Sequence, residues 1–162
     1  MQIRPFASGD EHGIAALYNH YILHTTVTFE EAPLSPEAMR ERIDAYRVHH
    51  PWLVAEDQGQ IVGYAYGSRF HARAAFRHTA EVSVYVRHGL ERRGIARALY
   101  APLIEALRAQ GVHAVLAVIS LPHAASVGLH ESLGFAKQGH LTEVGFKFGQ
   151  WLDIGHWQLT LR

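Results

Sequence analysis

Between Ala80 and Leu107 the chain reads AEVSVYVRHGLERRGIARALYAPLIEAL, and this stretch constrains the fold more than any other. Glu81 to Val86 alternates and is rich in valine and tyrosine, the pattern of a strand. A short basic loop with glycines follows, His88 to Gly94. Ile95, Leu99, Leu103, Ile104 and Leu107 then recur at helical spacing. Strand, glycine-bearing loop and helix, in that order, present unpaired backbone N–H groups at a helix start. Those groups and the helix dipole attract anions, phosphates above all. Arg92, Arg93 and Arg97 surround the same point with positive charge. Neither of the two commonest phosphate loops is present: there is no G-x-x-x-x-G-K-[ST], no G-x-G-x-x-G, and no lysine before Lys137.

The 162 residues suffice for one domain with a substantial core. No apolar run is long enough to cross a membrane, and MQIRPFASGD lacks the basic-then-apolar layout of a signal peptide. Cysteine is absent, which removes disulfides, thiolate nucleophiles and cysteine–zinc sites. Together these features point to a cytoplasmic protein. Fifteen acidic residues balance fifteen basic ones, which argues against nucleic-acid binding as the main task. Among thirteen histidines, His20 and His24 have helical spacing, but no H-E-x-x-H accompanies them; we read the histidines as scattered and expect no metal.

The other elements follow from local pattern. Gln2 to Pro5 reads as a first strand, and Asp10 as the cap of a helix carrying Ile14, Leu17, Tyr18, Tyr21 and Ile22. Ser35-Pro36-Glu37 starts a second helix with Met39, Ile43 and Tyr46, which stops before Pro51. Trp52 to Glu56 and Gln60 to Gly67 form a hairpin about Asp57-Gln58-Gly59. Ser68 to Arg77 is a polar loop. His113 to Ile119 is a nearly continuous apolar strand, expected to be buried on both faces. Ala124 to Leu133 is a short helix, and Phe135 to Val144 and Ile154 to Leu161 close the chain as strands. The architecture is a single α/β domain over residues 1–162. Its mixed, mostly antiparallel sheet contains one parallel pair, joined by a right-handed crossover.

The run Glu91-Arg92-Arg93-Gly94-Ile95-Ala96 resembles the pyrophosphate loop of the GNAT superfamily of N-acetyltransferases, with an acid where glutamine or arginine is usual. Further blocks resemble its phosphinothricin and methionine sulfoximine N-acetyltransferases. They are Asn19 to Ile22, Thr25 to Glu30, Pro51 to Glu56, Gly63 to Tyr66, Glu81 to Val86, Ala117 to Ile119, Ala125 to Val127, Leu129 to Phe135 and Gly145 to Asp153. They occur in order and span nearly the whole chain. The resemblance implies an acetyltransferase fold whose central parallel pair is splayed into a V by a bulge, with flanking helices. Acetyl-CoA would lie in the V, N–H groups near Val84, Tyr85 and Val86 would meet its pantetheine arm, and Arg92, Arg93, Gly94, Ile95, Ala96 and Arg97 would hold its pyrophosphate.

The resemblance also marks the remaining site residues. Glu81 is the proposed base, since a protonated amine must lose a proton before it attacks a thioester; alone, it reads as a strand-end glutamate in an ion pair. His130 either serves the oxyanion or departing thiolate, or bonds a helix carbonyl. His123 replaces the usual asparagine and either keeps the pantetheine contact or points away. Ser126 caps the helix, touches CoA, or both. Phe29, Arg73 and Phe76 lie where the family binds its amino acid. Arg73 either forks onto a carboxylate or phosphinate or is a solvated loop residue, and Phe76 replaces a tyrosine. The expected activity is direct acetyl transfer from acetyl-CoA to the α-amino group of a small amino acid, by a homodimer. A peptide or protein N-acetyltransferase and a non-catalytic CoA-binding module are the alternatives.

Overall fold

Helix α3 (Ile95–Ala109) sits where the apolar periodicity places it, with Ile95, Leu99, Tyr100, Leu103, Ile104 and Leu107 buried. Its first turn follows Gly94 at φ 81° and its end precedes Gly111 at φ 85°, both left-handed positions that favour glycine. The computed structural model describes residues 1–162. The strands are β1 (Gln2–Pro5), β2 (Trp52–Asp57), β3 (Gln60–Arg69), β4 (Thr79–Val86), β5 (Ala114–Leu121), β6 (Ala136–Lys147) and β7 (Gln150–Thr160). They form one seven-stranded sheet in the order β1-β2-β3-β4-β5-β7-β6. All neighbours are antiparallel except β4 and β5.

Two apolar cores lie on the sheet. Helix α3 packs on β3 and β4 with Ala65, Ala80, Val82, Val115 and Trp157 beneath it. Gly63 permits the approach: a Cβ there would lie 3.0 Å from Ile95 and 3.1 Å from Leu99. Helices α1 (Asp10–His24) and α2 (Pro36–Arg47) build the second core, in which Ile14, Tyr18, Ile22, Met39 and Ile43 meet Trp52, Val54 and Tyr64. A single-turn 3₁₀ helix (Ala74–Phe76) and α4 (Ala124–Ser132) complete the elements.

Ser35 caps α2 as expected, its Oγ accepting from the Ala38 N–H at 3.0 Å. Asp10 does not cap α1. Gly9 occupies that position, and the Asp10 carboxylate is taken by the Arg4 guanidinium at 2.7 Å and the Ala7 N–H at 2.8 Å. Strand β5 is not buried on both faces either: Val118 is 40% exposed, because no helix covers the sheet there. The last two strands run on to meet at Phe148 and Gly149, both at positive φ, the backbone of a two-residue type I′ hairpin turn.

The parallel β4–β5 ladder is short: Thr79, Ala80 and Glu81 pair with Ala114, Val115 and Leu116, and there it stops. Strand β5 stays with β7 along its whole length, while β4 stays with β3 in even register from Gly63–Val86 to Arg69–Ala80. The expected bulge is therefore absent from the β3–β4 ladder. The V arises because each strand of the parallel pair follows its outer neighbour.

Leu103 is fully buried on the inner face of α3. Leu103→Ala is expected to cost about 2–5 kcal/mol of stability, measured as a lower midpoint in urea with an unchanged slope.

Candidate functional site

Backbone alternation decides which groups face the cleft. The Arg87 N–H donates to the Val62 carbonyl at 2.8 Å. An antiparallel strand turns alternate residues toward one neighbour, so Tyr85, Ser83 and Glu81 spend their backbone groups on β3. Those of Val82, Val84 and Val86 point toward β5. On the same side, the His78 carbonyl accepts from the His113 and Ala114 N–H groups at 2.7 and 3.2 Å. Past Glu81 the strands have parted, so Val84 and Val86 turn their backbone groups into the cleft. The Val86 carbonyl there accepts the Tyr21 hydroxyl, and Tyr85 faces the cleft by other atoms than its N–H.

Two adjoining cavities, of about 60 and 340 Å³, occupy the cleft and share Val27, Val84, Tyr85, His123 and Ser126 as walls. Arg92, Gly94, Ile95, Ala96 and Arg97 wall the larger one at the start of α3, whereas Arg93 does not reach it. Side-chain ion pairs elsewhere use Arg4, Arg40, Arg42, Arg47 and Arg108 and leave these loop arginines without a carboxylate. Arg97 donates to the Ser132 hydroxyl at 2.6 Å. Glu91, the departure from the family pattern, folds back on its own loop. Its carboxylate is held below the usual range by its own N–H and that of Gly89, which donates at 2.8 Å. The acid thus shapes the turn that presents the arginines.

The opposite wall begins at β5. His123 precedes the first turn of α4 and its Nδ1 accepts from the Ser126 N–H at 3.2 Å, so imidazole does the capping. Burial pushes the His123 pKa down, which favours the neutral ring. With Nδ1 accepting, the proton sits on Nε2, a donor for the cleft. His130 is 3% exposed. Its Nδ1 lies 2.7 Å from the Ser126 carbonyl, which can only accept, so Nδ1 carries the proton. Its Nε2 then accepts from the Tyr100 hydroxyl at 2.9 Å. Both ring nitrogens are engaged, and burial lowers the His130 pKa. Tyr100 walls the smaller cavity and went unnoticed in the sequence, because a tyrosine inside a helical apolar stripe reads as core.

Glu81 stands at the last rung of the parallel ladder, half-buried, and borders neither cavity. Burial pushes its pKa up, against the pull of His156 and His71. Its face of the sheet also carries Ser83 and Tyr85, and across the cleft Val118 and Ser120. Phe29 lies over the β6–β7 hairpin, its ring against Gly145. Arg73 and Phe76 line a separate cavity of about 280 Å³ with His49, His50, Arg69 and Arg77, which shares no wall with the cleft.

Residues 3–156 match the acetyltransferase (GNAT) domain family. The chain belongs to the GNAT acetyltransferase family. It is 41% identical to the L-methionine sulfoximine/L-methionine sulfone acetyltransferase of Pseudomonas paraeruginosa, over 98% of this chain and 94% of the relative. The phosphinothricin acetyltransferase of Sinorhizobium meliloti, solved in complex with AcCoA, superposes with a TM-score of 0.95 at 35% identity, covering 99% of this chain and 88% of that one. The ribosomal-protein-alanine N-acetyltransferase of Brucella melitensis superposes with a TM-score of 0.96 at 39% identity, covering 99% and 100%. This GNAT chain therefore resembles enzymes named for methionine sulfoximine or sulfone and for phosphinothricin, and one named for ribosomal-protein alanine.

Tyr100→Phe would leave the His130 Nε2 buried without a donor. The expected cost is about 1–3 kcal/mol, read as a lower midpoint in chemical denaturation.

Proposed function

We propose that the chain, as one catalytic domain over residues 1–162, transfers an acetyl group from acetyl-CoA to the α-amino group of a small amino acid. Phosphinothricin and methionine sulfoximine or sulfone are the leading acceptors. The observation that carries this reading is the cleft itself: backbone groups of Val84 and Val86 that have left the parallel ladder lie between an arginine loop without carboxylate partners and Glu81. Acetyl-CoA supplies an activated acyl thioester. The N–H groups opening α3, with Arg92 and Arg97 in the wall and Arg93 beside it, suit a diphosphate. A Cβ at Gly94 would meet nothing within 4 Å, but φ 81° strains any L side chain, so Gly94→Asp both disturbs the turn and carries negative charge to the anion site. That variant is expected to weaken acetyl-CoA binding at least ten-fold by calorimetry, an effect on the order of 1.4 kcal/mol; unchanged affinity would remove the loop from the site.

Val84 and Val86 would bind the pantetheine arm from one wall, and His123 Nε2–H and Ser126 from the other. Glu81 would take the proton from the acceptor ammonium, directly or through water. No cysteine is present to carry the acyl group, so the amine attacks the thioester carbonyl within a ternary complex. The C–S bond breaks, and CoA leaves as a thiolate that takes up the proton shed by the acylated nitrogen, directly or through water. His130 holds Tyr100 through Nε2, which gives it a positioning role in this geometry. Phe29 would flank the acceptor. Arg73 and Phe76 are assigned to the acceptor by resemblance, since their cavity is separate. We also infer a cytoplasmic homodimer. The cysteine-free composition supports the compartment, and the exposed Val144, Phe146, Phe148 and Trp151 on the edge hairpin support a face that a second copy covers. The similarity to a ribosomal-protein-alanine N-acetyltransferase keeps a peptide acceptor as the second reading. Mass spectrometry of products from a panel of amino acids and alanine-initiated peptides separates the two.

The raised pKa of Glu81 works against the base at acid pH: turnover falls as pH drops through it and the carboxylate takes up a proton. Glu81→Gln keeps the shape and removes the basicity. A loss of about 10²- to 10⁴-fold in turnover at neutral pH is expected, shrinking as pH rises and solvent supplies free amine. Full activity at neutral pH would make Glu81 structural; a uniform loss at all pH values would make it a positioning group.

A further inference from the structure

The segment from Thr25 to Glu30 crosses the open end of the cleft without joining the sheet, yet it is tied down at every second residue. The Ser120 hydroxyl on β5 donates to the Thr26 carbonyl at 2.6 Å. Lys147 Nζ on β6 donates to the Thr28 carbonyl at 2.7 Å. The Arg42 guanidinium on α2 forks onto the Glu30 carboxylate at 2.7 and 2.8 Å. Of the intervening residues, Val27 walls both cavities, and Phe29 turns its ring onto Gly145 of the β6–β7 hairpin.

Lys147 is the unusual tie. It is 1% exposed, and no carboxylate pairs with it; its ammonium has the Thr28 carbonyl and, 5.1 Å away, the ring of Phe148. Burying an ammonium that has no ion-pair partner is costly, and burial lowers its pKa against the pull of Glu31 and Glu30. An apolar side chain would fill the same space without that cost. What the ammonium adds is a charged hydrogen bond to the Thr28 carbonyl, the peptide link that leads into Phe29. Two residues earlier on the same strand, Gly145 leaves the room that the Phe29 ring occupies: a Cβ there would lie 2.3 Å from it. Lys147 and Gly145 therefore fix the Phe29 backbone and ring from one strand.

We propose that Lys147 is a positioning residue that holds the Thr25–Glu30 strap, and through Phe29 sets acceptor affinity, with Gly145 setting the depth of the ring. This rests on the reading of Phe29 as an acceptor-side residue. It assigns no contact between Lys147 and substrate.

The test compares steady-state kinetics of Lys147→Met, Gly145→Ala, Phe29→Ala and the Lys147→Met/Phe29→Ala double variant, using methionine sulfone and acetyl-CoA. Acetyl-CoA affinity is measured separately by calorimetry. Lys147→Met is expected to raise the acceptor KM roughly ten-fold, the size of a lost charged hydrogen bond, with kcat and acetyl-CoA affinity nearly unchanged. Gly145→Ala should raise the same KM without touching the buried ammonium, which keeps the test alive if Lys147→Met does not fold. In the double variant the Lys147 substitution should add nothing to the Phe29→Ala defect. If Phe29→Ala raises the acceptor KM while Lys147→Met and Gly145→Ala leave it alone, the positioning role is overturned and the acceptor reading of Phe29 stands. If Phe29→Ala has no effect on acceptor KM, both fall. If Lys147→Met weakens acetyl-CoA and acceptor equally, its role is general stability and the proposal is overturned.

Discussion

Backbone N–H and C=O groups that leave a sheet need other partners, and the cleft in this protein is made of such groups. Strands β4 and β5 share three residue pairs and then diverge. Closing the ladder would satisfy the free edges of both strands and abolish the site. What keeps it open is the stronger commitment of each strand elsewhere: β5 pairs with β7 over eight residues, and β4 with β3 over seven. The binding surface is thus a by-product of competition between ladders. Helix α3 anchors one side of it through its buried face and begins at the arginine loop. The Tyr21 hydroxyl takes up one of the freed carbonyls, that of Val86.

Around this cleft the proposed chemistry is divided between rigid and tied parts. Glu81 sits on the last rung where the sheet is still whole, which fixes it firmly and removes it from water enough to raise its pKa. Ser126, His130 and Tyr100 form a chain of hydrogen bonds linking the α4 backbone to the buried face of α3. The strap at Thr25 to Glu30 has no ladder of its own and borrows ties from a β5 hydroxyl, a β6 ammonium, an α2 guanidinium and the α1 Tyr18 hydroxyl. A side chain on each surrounding element therefore bears on where Val27 and Phe29 stand.

Much of this was legible in the sequence, and the exceptions have physical reasons. The strand, arginine loop and α3 were readable because alternation, a glycine at positive φ and helical periodicity are local signals. Tyr100 was not, because its partner is thirty positions away and its helix position looks like core. Nor was Lys147, since a lysine in an alternating strand ordinarily faces water. The β6–β7 turn was missed because Phe148 adopts a backbone conformation that seldom suits a bulky side chain. Val118 read as buried because periodicity reports apolarity, not whether a helix lies above it. The even register of β4 against β3 corrects the expected bulge, since a register lies in the pairing of two segments and in neither alone. Arg73 and Phe76 were chosen by resemblance, and the chain's own geometry gives them a separate basic cavity.

Helix α3 contributes six buried residues to the larger core and also carries the arginine loop at its start. The same element thus bears on global unfolding and on the proposed anion site. A ligand seated there binds the folded chain alone and draws molecules out of the unfolded pool in proportion to its concentration. With acetyl-CoA in the proposed site, the lifetime of the folded chain would track its supply: scarce cofactor means more frequent opening and exposure to proteolysis.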